Sequence, residues 1–571
     1  MRPLQDYDID PVMGFLPTEP PLRRLSDPYY EPWENMFEDF NGLLLAGKLR
    51  ENIHKMPLLE TNRLTNVREY RRAFLILCML SHSYVWGKLE KTSETLPANL
   101  AVPWSAIASH LGLCPVVCHA AVVLWNYRLL DRNGPTDLSN LAALATYSGS
   151  LDEAWFYLVT TGIESAGARC VSAIVETIQD INDNNTEGIL KHLTVIREGL
   201  EAMNDVLQRM YEKCDPYVFY WKIRPYLAGW ENMAEAGLPF GLIYEGVDSL
   251  WSAETDEYAD MSHLSEGERL LRQYRRYAGG SAAQSSLIAA LDVAFGVEHY
   301  PTGEKPPMFK LNVNDRYTRL PTTNPVDELK GTPSSRSTPT TFVRTNRNAF
   351  LRAMRKYMPR PHREFLEDLE VASNMRSFVM HLDDNRADLD ATEIAILDTY
   401  NDCLGLLKSF RDKHVQIVTL YIVNQARKGP NIAHGGFAID KSKEKQPASE
   451  SPVTATETKQ PPHNVLYPQT ALETSPGIRK GSVSDKVSHL FPELGLAKHV
   501  DPKTGVVRGT GGTNVLPFLK QSRDETADAR LLPGESASTS SPASSRAAAG
   551  TTETATTTTT TRSWKDWFSS R

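Results

Sequence analysis

The stretch 394–423, IAILDTYNDCLGLLKSFRDKHVQIVTLYIV, constrains the fold more than any other part of the chain. Tyr400, Cys403, Leu407, Phe410, His414, Ile417 and Tyr421 recur every three or four residues, which makes one stripe along a helix. Leu404, Val418 and Ile422 widen that stripe. One histidine therefore lies within the core face of a long helix. Such a residue is either a satisfied structural histidine or a haem ligand. Imidazole nitrogen is the commonest axial ligand, and a rigid buried helix suits a large flat cofactor. The periodicity by itself leaves both readings open.

Helical periodicity recurs through most of the chain. Residues 32–54 carry a stripe of Trp33, Met36, Phe37, Phe40 and Leu44, after an irregular, proline-rich arm expected on the surface. Residues 65–89 read as a helix, 93–103 as a linker, and 105–111 as a short helix. The apolar run 115–130 reads as a buried helix, ended by Asp131, Asn133, Gly134 and Pro135. Residues 154–180 read as one helix rich in small side chains. Residues 186–211 form an amphipathic helix with Ile189, Leu193, Ile196, Leu200, Met203 and Leu207 on its seam. Pro359 and Pro361 precede a helix that starts near His362.

The fold class expected is all-α. Residues 1–130 read as a smaller N-terminal domain with its surface arm, and 131–300 as the first part of a large helical domain. Residues 301–344 read as a surface insertion, and 345–426 as the part of the large domain that holds the His414 helix. Residues 427–505 are polar and of low complexity, as is the tail 531–571; neither composition can bury a core. Between them, 506–530 hold a glycine-rich loop and the start of a short helix.

A net charge of −8 and a pI near 6.0 give no electrostatic reason for nucleic-acid binding or a polybasic membrane patch. The six cysteines form no disulfide framework and fit a reducing compartment. Cys114, Cys118 and His119 have no second cluster at zinc-site spacing. No uncharged apolar run reaches spanning length, and the N-terminus lacks a signal-peptide core. A cytoplasmic location is the expectation.

Three polar features need partners. Arg224 lies in FYWKIRPYLAGW, where a guanidinium requires an internal carboxylate or a substrate carboxylate. Gly279-Gly280-Ser281 opens a helix with exposed N–H groups and a hydroxyl, able to cradle a carboxylate or to cap the helix. Asp292, on an apolar helix, needs a cation or a raised pKa.

Taken together, SFRDKHVQIVTLYI, RGTGGTNVLPFL, FYWKIRPYLAGW, GLIYEGV, AGGSAAQSS and YMPRPHREFL resemble the indoleamine 2,3-dioxygenase family in its longer fungal form. The blocks keep the family's order over residues 35–300, 345–425 and 508–525, and their combination is what makes the resemblance specific. It implies a two-domain helical haem protein whose large domain carries haem b between its helices. It implies cleavage of the indole C2–C3 bond of L-tryptophan with O2 to N-formyl-L-kynurenine, the first step of the kynurenine pathway toward NAD. It also implies a monomer that needs a reductant for the haem iron.

By motif, His414 resembles the proximal haem ligand, and Arg411 and Asp292 the ion pair beside a haem propionate. Arg224 resembles the residue that binds the tryptophan carboxylate. Phe219, Tyr220 and Leu227 fall among the substrate contacts, as do Phe156, Tyr157, Thr160 and His119 of the distal pocket. Gly280, Ser281 and Ala282 match the loop beside haem and substrate, and Thr510, within Gly509–Gly512, the closing loop. Three positions depart from the vertebrate pattern: Thr160 replaces a serine, His119 a tyrosine and Tyr220 a phenylalanine. Haem iron and bound O2 carry the chemistry, so no protein base is required; Glu164 is expected to face another helix. The alternative is a catalytically weak haem protein of the same fold, acting as a sensor or on another substrate.

Overall fold

Capping side chains set where the helices of this protein begin. Asn66, Ser150 and Asn185 each accept the backbone N–H three residues on, and open the helices Val67–Trp86, Leu151–Ala166 and Thr186–Gln208. Asp390 and Glu393 form a reciprocal capping box at the start of Ala391–Val418. These features come from a computed structural model. It describes residues 1–87, 91–247, 250–252, 257–259, 273–300, 302, 349–428, 509–510 and 515–531. The expected insertions 301–344 and 427–505 and the tail 531–571 lie almost wholly outside the described residues.

The architecture is all-α, with only small sheets. Thr95–Leu96 runs parallel to Leu242–Tyr244, which pairs antiparallel with Tyr274–Arg275. Tyr127–Leu129 pairs with Leu141–Ala143, and Leu250–Ser252 with Glu257–Ala259, both antiparallel. Ala391–Val418 is the central helix. It packs along Thr186–Gln208 and against Val515–Asp528. Tyr400, Cys403, Leu404 and Leu407 are fully buried there, whereas Phe410 and His414 are half-buried. The helix then continues into a π-helical turn, Thr419–Val423. All six cysteines are buried thiols outside any disulfide. No helix among the described residues is long and apolar enough to cross a membrane.

Several sequence expectations are corrected. The N-terminal arm is not merely laid on the surface: Tyr7, Ile9, Phe15 and Leu16 are buried, and Tyr7 donates to Asp368 at 2.5 Å. The 32–54 helix is three pieces, Glu31–Glu38, Phe40–Leu45 and Leu49–Lys55. The second half of the linker and the short helix are one helix, Ala98–Leu111, with Pro103 inside, preceded by the strand Thr95–Leu96. An internal proline costs about 3 kcal/mol. Burying Leu100, Trp104 and Ile107, at roughly 1.5–3 kcal/mol each, outweighs it.

The 115–130 run is not a helix throughout. It makes a π-helical turn, Ala120–Leu124, and then the strand Tyr127–Leu129. Its entry is held by the Val117 N–H, which donates to His82 Nε2 at 2.8 Å instead of to a helical carbonyl. The 154–180 helix breaks at Gly167 into Leu151–Ala166 and Ala168–Asn182. A Cβ at Gly167 would sit 2.5 Å from Leu287 and 2.7 Å from Met203, so the helices could not approach as they do.

Two buried histidines make the fold sensitive to acid. His82 bridges Val117 N–H and Tyr226 O, and burial lowers its pKa to about 3. His362, beside Ser286, is lowered to about 4 by the same cause. Between these values and the unfolded value near 6.5, the unfolded chain binds more protons, so stability falls as pH falls. Going from pH 7 to pH 5 should cost about 2 kcal/mol for each histidine. Urea unfolding at the two pH values checks this, and equal stabilities would contradict it.

Candidate active site

His414 lies near the end of the central helix. Burial, then the nearby Arg411 charge, lowers its pKa to about 4, so the imidazole is neutral at pH 7. Its side chain is half-buried and makes no hydrogen bond among the described residues. A neutral, unengaged imidazole on a rigid helix is what an iron ligand requires. No three His, Cys, Asp or Glu side chains among the described residues group as a metal site. A single imidazole on such a helix is a donor that fits the axial position of a haem iron.

Arg411 and Asp292 pair as the resemblance implied. Arg411 Nη2 reaches both Asp292 oxygens, at 2.5 and 2.7 Å. Asp292 lies on the helix Ser286–Ala294. Burial pushes its carboxyl up, but Arg411 and then His299 outweigh burial, and its pKa is lowered.

Leu151–Ala166 carries a second set of site residues. The Phe156 ring packs 4.8 Å from Phe219, and Phe219 packs edge-on 5.8 Å from Tyr421, in the π-helical turn after His414. Phe156 and Phe219 thereby connect this helix to the His414 helix. Tyr157 is buried with its hydroxyl on Glu153 at 2.9 Å. Thr160 donates to the Phe156 carbonyl at 2.9 Å, so its methyl and its half-exposed flank are what it offers to a neighbour.

Glu164 faces the starts of two other helical segments, Ala120–Leu124 and Ser286–Ala294, through their N-cap residues. Its Oε1 meets His119 Nε2 at 2.8 Å and accepts Ser285 Oγ at 2.7 Å. Both His119 and Glu164 are buried. His119 is therefore a residue held by a carboxylate, and its ring is not free to swing toward a ligand. Gln284 reinforces the same junction. Its Oε1 accepts the His119 N–H at 3.1 Å, and its Nε2 donates to Gly279 O at 2.9 Å. Sequence reasoning missed Gln284, Ser285 and the part played by Glu164; the adjacent AGGSAAQSS block was the only signal that could have flagged the first two.

Phe219–Ile223 is a π-helical turn and Arg224–Leu227 a 3-10 turn. Tyr220 and Arg224 are thereby brought together: the guanidinium lies 5.1 Å from the Tyr220 ring centre. Burial lowers the Arg224 pKa to about 10, with Tyr220 opposing. A cation so destabilised by burial gains from any anion brought beside it.

The backbone after Arg224 runs against the glycine turn. Gly280 N donates to Leu227 O at 3.1 Å, and Trp230 N to Tyr277 O at 2.7 Å. A Cβ at Gly279 would lie 2.1 Å from Leu227 O, so only glycine permits the approach. Ser281 caps the 3-10 turn Ala282–Gln284 and is half-buried, whereas Ala282 is exposed.

Thr510 is docked on this turn. Its hydroxyl donates to Gly280 O, and its carbonyl accepts Gly279 N–H at 3.0 Å. Gly511 and Gly512 lie outside the described residues. Thr510→Ala removes one hydrogen bond and should weaken the docking of this segment on the glycine turn by about 1 kcal/mol, roughly fivefold. Hydrogen exchange of the Gly279 amide, which the Thr510 carbonyl accepts, checks this; unchanged protection would show the hydroxyl to be dispensable.

The chain is similar to several known proteins over most of its length. The family model for indoleamine 2,3-dioxygenase matches residues 3–529. An indoleamine 2,3-dioxygenase of Saccharomyces cerevisiae is 33% identical over 92% of this chain and 94% of its own length. Indoleamine 2,3-dioxygenase 1 of Rattus norvegicus is 31% identical over 76% of this chain and 88% of its own length. A 6-hydroxytryptophan 2,3-dioxygenase of Fusarium equiseti is 27% identical over 74% of this chain and 86% of its own length. The match runs through both the helix that bears His414 and the segments that bear Arg224, Gly280 and Thr510, and so the chain belongs to the indoleamine 2,3-dioxygenase family.

Proposed function

We propose that this protein is a haem-dependent dioxygenase that opens the indole C2–C3 bond of L-tryptophan with O2, giving N-formyl-L-kynurenine and feeding the kynurenine route toward NAD. The observation that carries the reading is His414, a neutral imidazole with no hydrogen bond among the described residues, on the central helix of a chain in this family. His414 would hold the iron of haem b, with the Arg411–Asp292 pair beside it. When bound, haem supplies the ferrous iron at which O2 reacts.

The chain's own residues bind and orient the amino acid. Arg224 takes the carboxylate, because its buried guanidinium matches a planar anion at two points. Phe156 and Phe219, 4.8 Å apart, form an apolar wall for a flat ring. Thr510, set on the Gly279–Gly280 turn, orders the edge of the site next to Leu227. The His119–Glu164–Ser285 contacts fix the spacing between Leu151–Ala166 and that turn.

The test is an aerobic assay of the ferrous protein with L-tryptophan under 18O2. N-formyl-L-kynurenine carrying two labelled oxygens is the expected product. Unchanged tryptophan, or peroxide-driven oxidation of guaiacol without tryptophan turnover, would overturn the reading.

A further inference from the structure

The Arg411–Asp292 pair is one side of a larger ring of charges. His299 lies seven residues after Asp292, just beyond the end of Ser286–Ala294. Its Nε2 meets Asp292 Oδ2 at 3.1 Å and its Nδ1 meets Glu525 Oε2 at 2.7 Å. Glu525 stands on the helix Val515–Asp528. Its second oxygen accepts the Tyr300 N–H at 2.9 Å and Gln521 Nε2 at 2.8 Å. Arg411 Nη1 then reaches Ser522 O, at 3.4 Å, on that same helix. The path from Arg411 through Asp292, His299 and Glu525 thus returns to Arg411 across three separate segments. Asp292, His299 and Glu525 are all more than nine-tenths buried.

An imidazole with a carboxylate at each nitrogen has to carry both protons, since a neutral ring would present a lone pair to one of the two anions. The ring then holds two cations, Arg411 and His299, and two anions, Asp292 and Glu525. Buried charges persist only when matched in this way.

We propose that His299 and Glu525 are positioning residues for the haem side of the protein, holding Arg411 through Asp292 and with it the turn of helix that carries His414. Arg411 precedes His414 by three residues on one rigid helix, so its placement is that of the iron ligand. The ring also locks Val515–Asp528 to the central helix. The sequence of that helix begins five residues after Thr510, which sits on the glycine turn. The iron side and the substrate side therefore share one electrostatic anchor. The part of this inference that concerns haem rests on the reading of His414 as iron ligand.

The groups facing His299 are Asp292, Glu525 and Arg411. Burial pulls the imidazole down, but Asp292 and then Glu525 outweigh burial and Arg411, and its pKa is raised. The stability it contributes is full below the unfolded value and is lost as pH rises through the raised one.

The experiment uses full-length holoprotein: wild type, Glu525→Gln, His299→Gln, the double variant and His414→Ala. Three quantities are measured: the rate of haem transfer to apomyoglobin, the iron midpoint potential and the melting temperature of the apoprotein. Each single variant should release haem roughly ten- to a hundredfold faster. Their potentials should move in opposite directions. Loss of the Glu525 anion disfavours the more positive ferric iron and raises the potential, whereas loss of the His299 cation lowers it. The double variant restores neutrality, so its potential should return toward wild type. Opposed shifts would not arise from simple loosening of the fold. Potentials that stay put, or move together, in both single variants would overturn the proposal even where melting temperatures fall. His414→Ala separates the two levels. If that variant keeps its haem, the ligand reading fails; if it loses haem while both ring variants hold it normally, only the role of the ring fails.

Discussion

His414→Ala is expected to purify almost free of haem, with residual binding weaker than wild type by more than about a hundredfold, beyond what loss of an outer hydrogen-bonding partner costs a metal site. The reason lies in what the helix offers. His414 is the half-buried polar member of an otherwise apolar stripe, neutral at pH 7, and it makes no hydrogen bond among the described residues. Its removal should leave the apoprotein fold intact, because no described hydrogen bond depends on the ring. His414→Gly tests the ligand role more sharply: added imidazole should enter the space and restore a six-coordinate or five-coordinate haem spectrum. Wild-type Soret absorption in His414→Ala, without added imidazole, would remove the assignment.

Arg224→Ala should lower kcat/KM for L-tryptophan by about 30-fold to several thousandfold, equivalent to roughly 2–5 kcal/mol for deleting one partner of a charge-assisted hydrogen-bonded pair in a dry site. The structure sharpens this expectation. Arg224 is 1% exposed, and burial lowers its pKa to about 10, so the guanidinium is held where an arriving carboxylate would relieve it. Arg224→Lys should recover only part of the loss, since an ammonium neither stacks on Tyr220 nor presents two parallel donors. Tryptamine has no carboxylate. It should be a poor substrate for the wild type and lose far less on mutation. The decisive measurement is kcat/KM for both substrates with both proteins. Equal losses would mean that another cation reads the carboxylate. A joint fall in haem content and melting temperature would mean that Arg224 serves the fold.

The central helix and its histidine were legible in the sequence, because the three-to-four-residue spacing is local and registers directly as helical geometry, whereas the Asp390–Glu393 capping box that starts the helix was not picked out. The same holds for Thr186–Gln208 and its seam. The pairing of Arg411 with Asp292, 119 residues apart, came from family resemblance rather than spacing, and the fold brings the two side chains together.

Other features depended on neighbours that no local pattern reveals. Pro103 inside Ala98–Leu111 looked like a linker residue until the burial of its neighbours outweighed the missing hydrogen bond. The valine-rich run 115–130 left the helix because His82, from a helix 35 residues earlier, accepts its backbone N–H. Glu164 acquired its role only when the fold brought Ser285, 121 residues away, to the oxygen that His119 also uses. By itself the sequence determined the all-α class, most of the main helices and the place of His414 on the apolar stripe of the central helix, since these follow from periodicity within a few turns. Only the tertiary structure decided which carboxylates meet His119 and His299 and how the Thr510 segment meets the glycine turn. Those are contacts between distant segments, and their cost or gain depends on burial that a linear pattern does not contain.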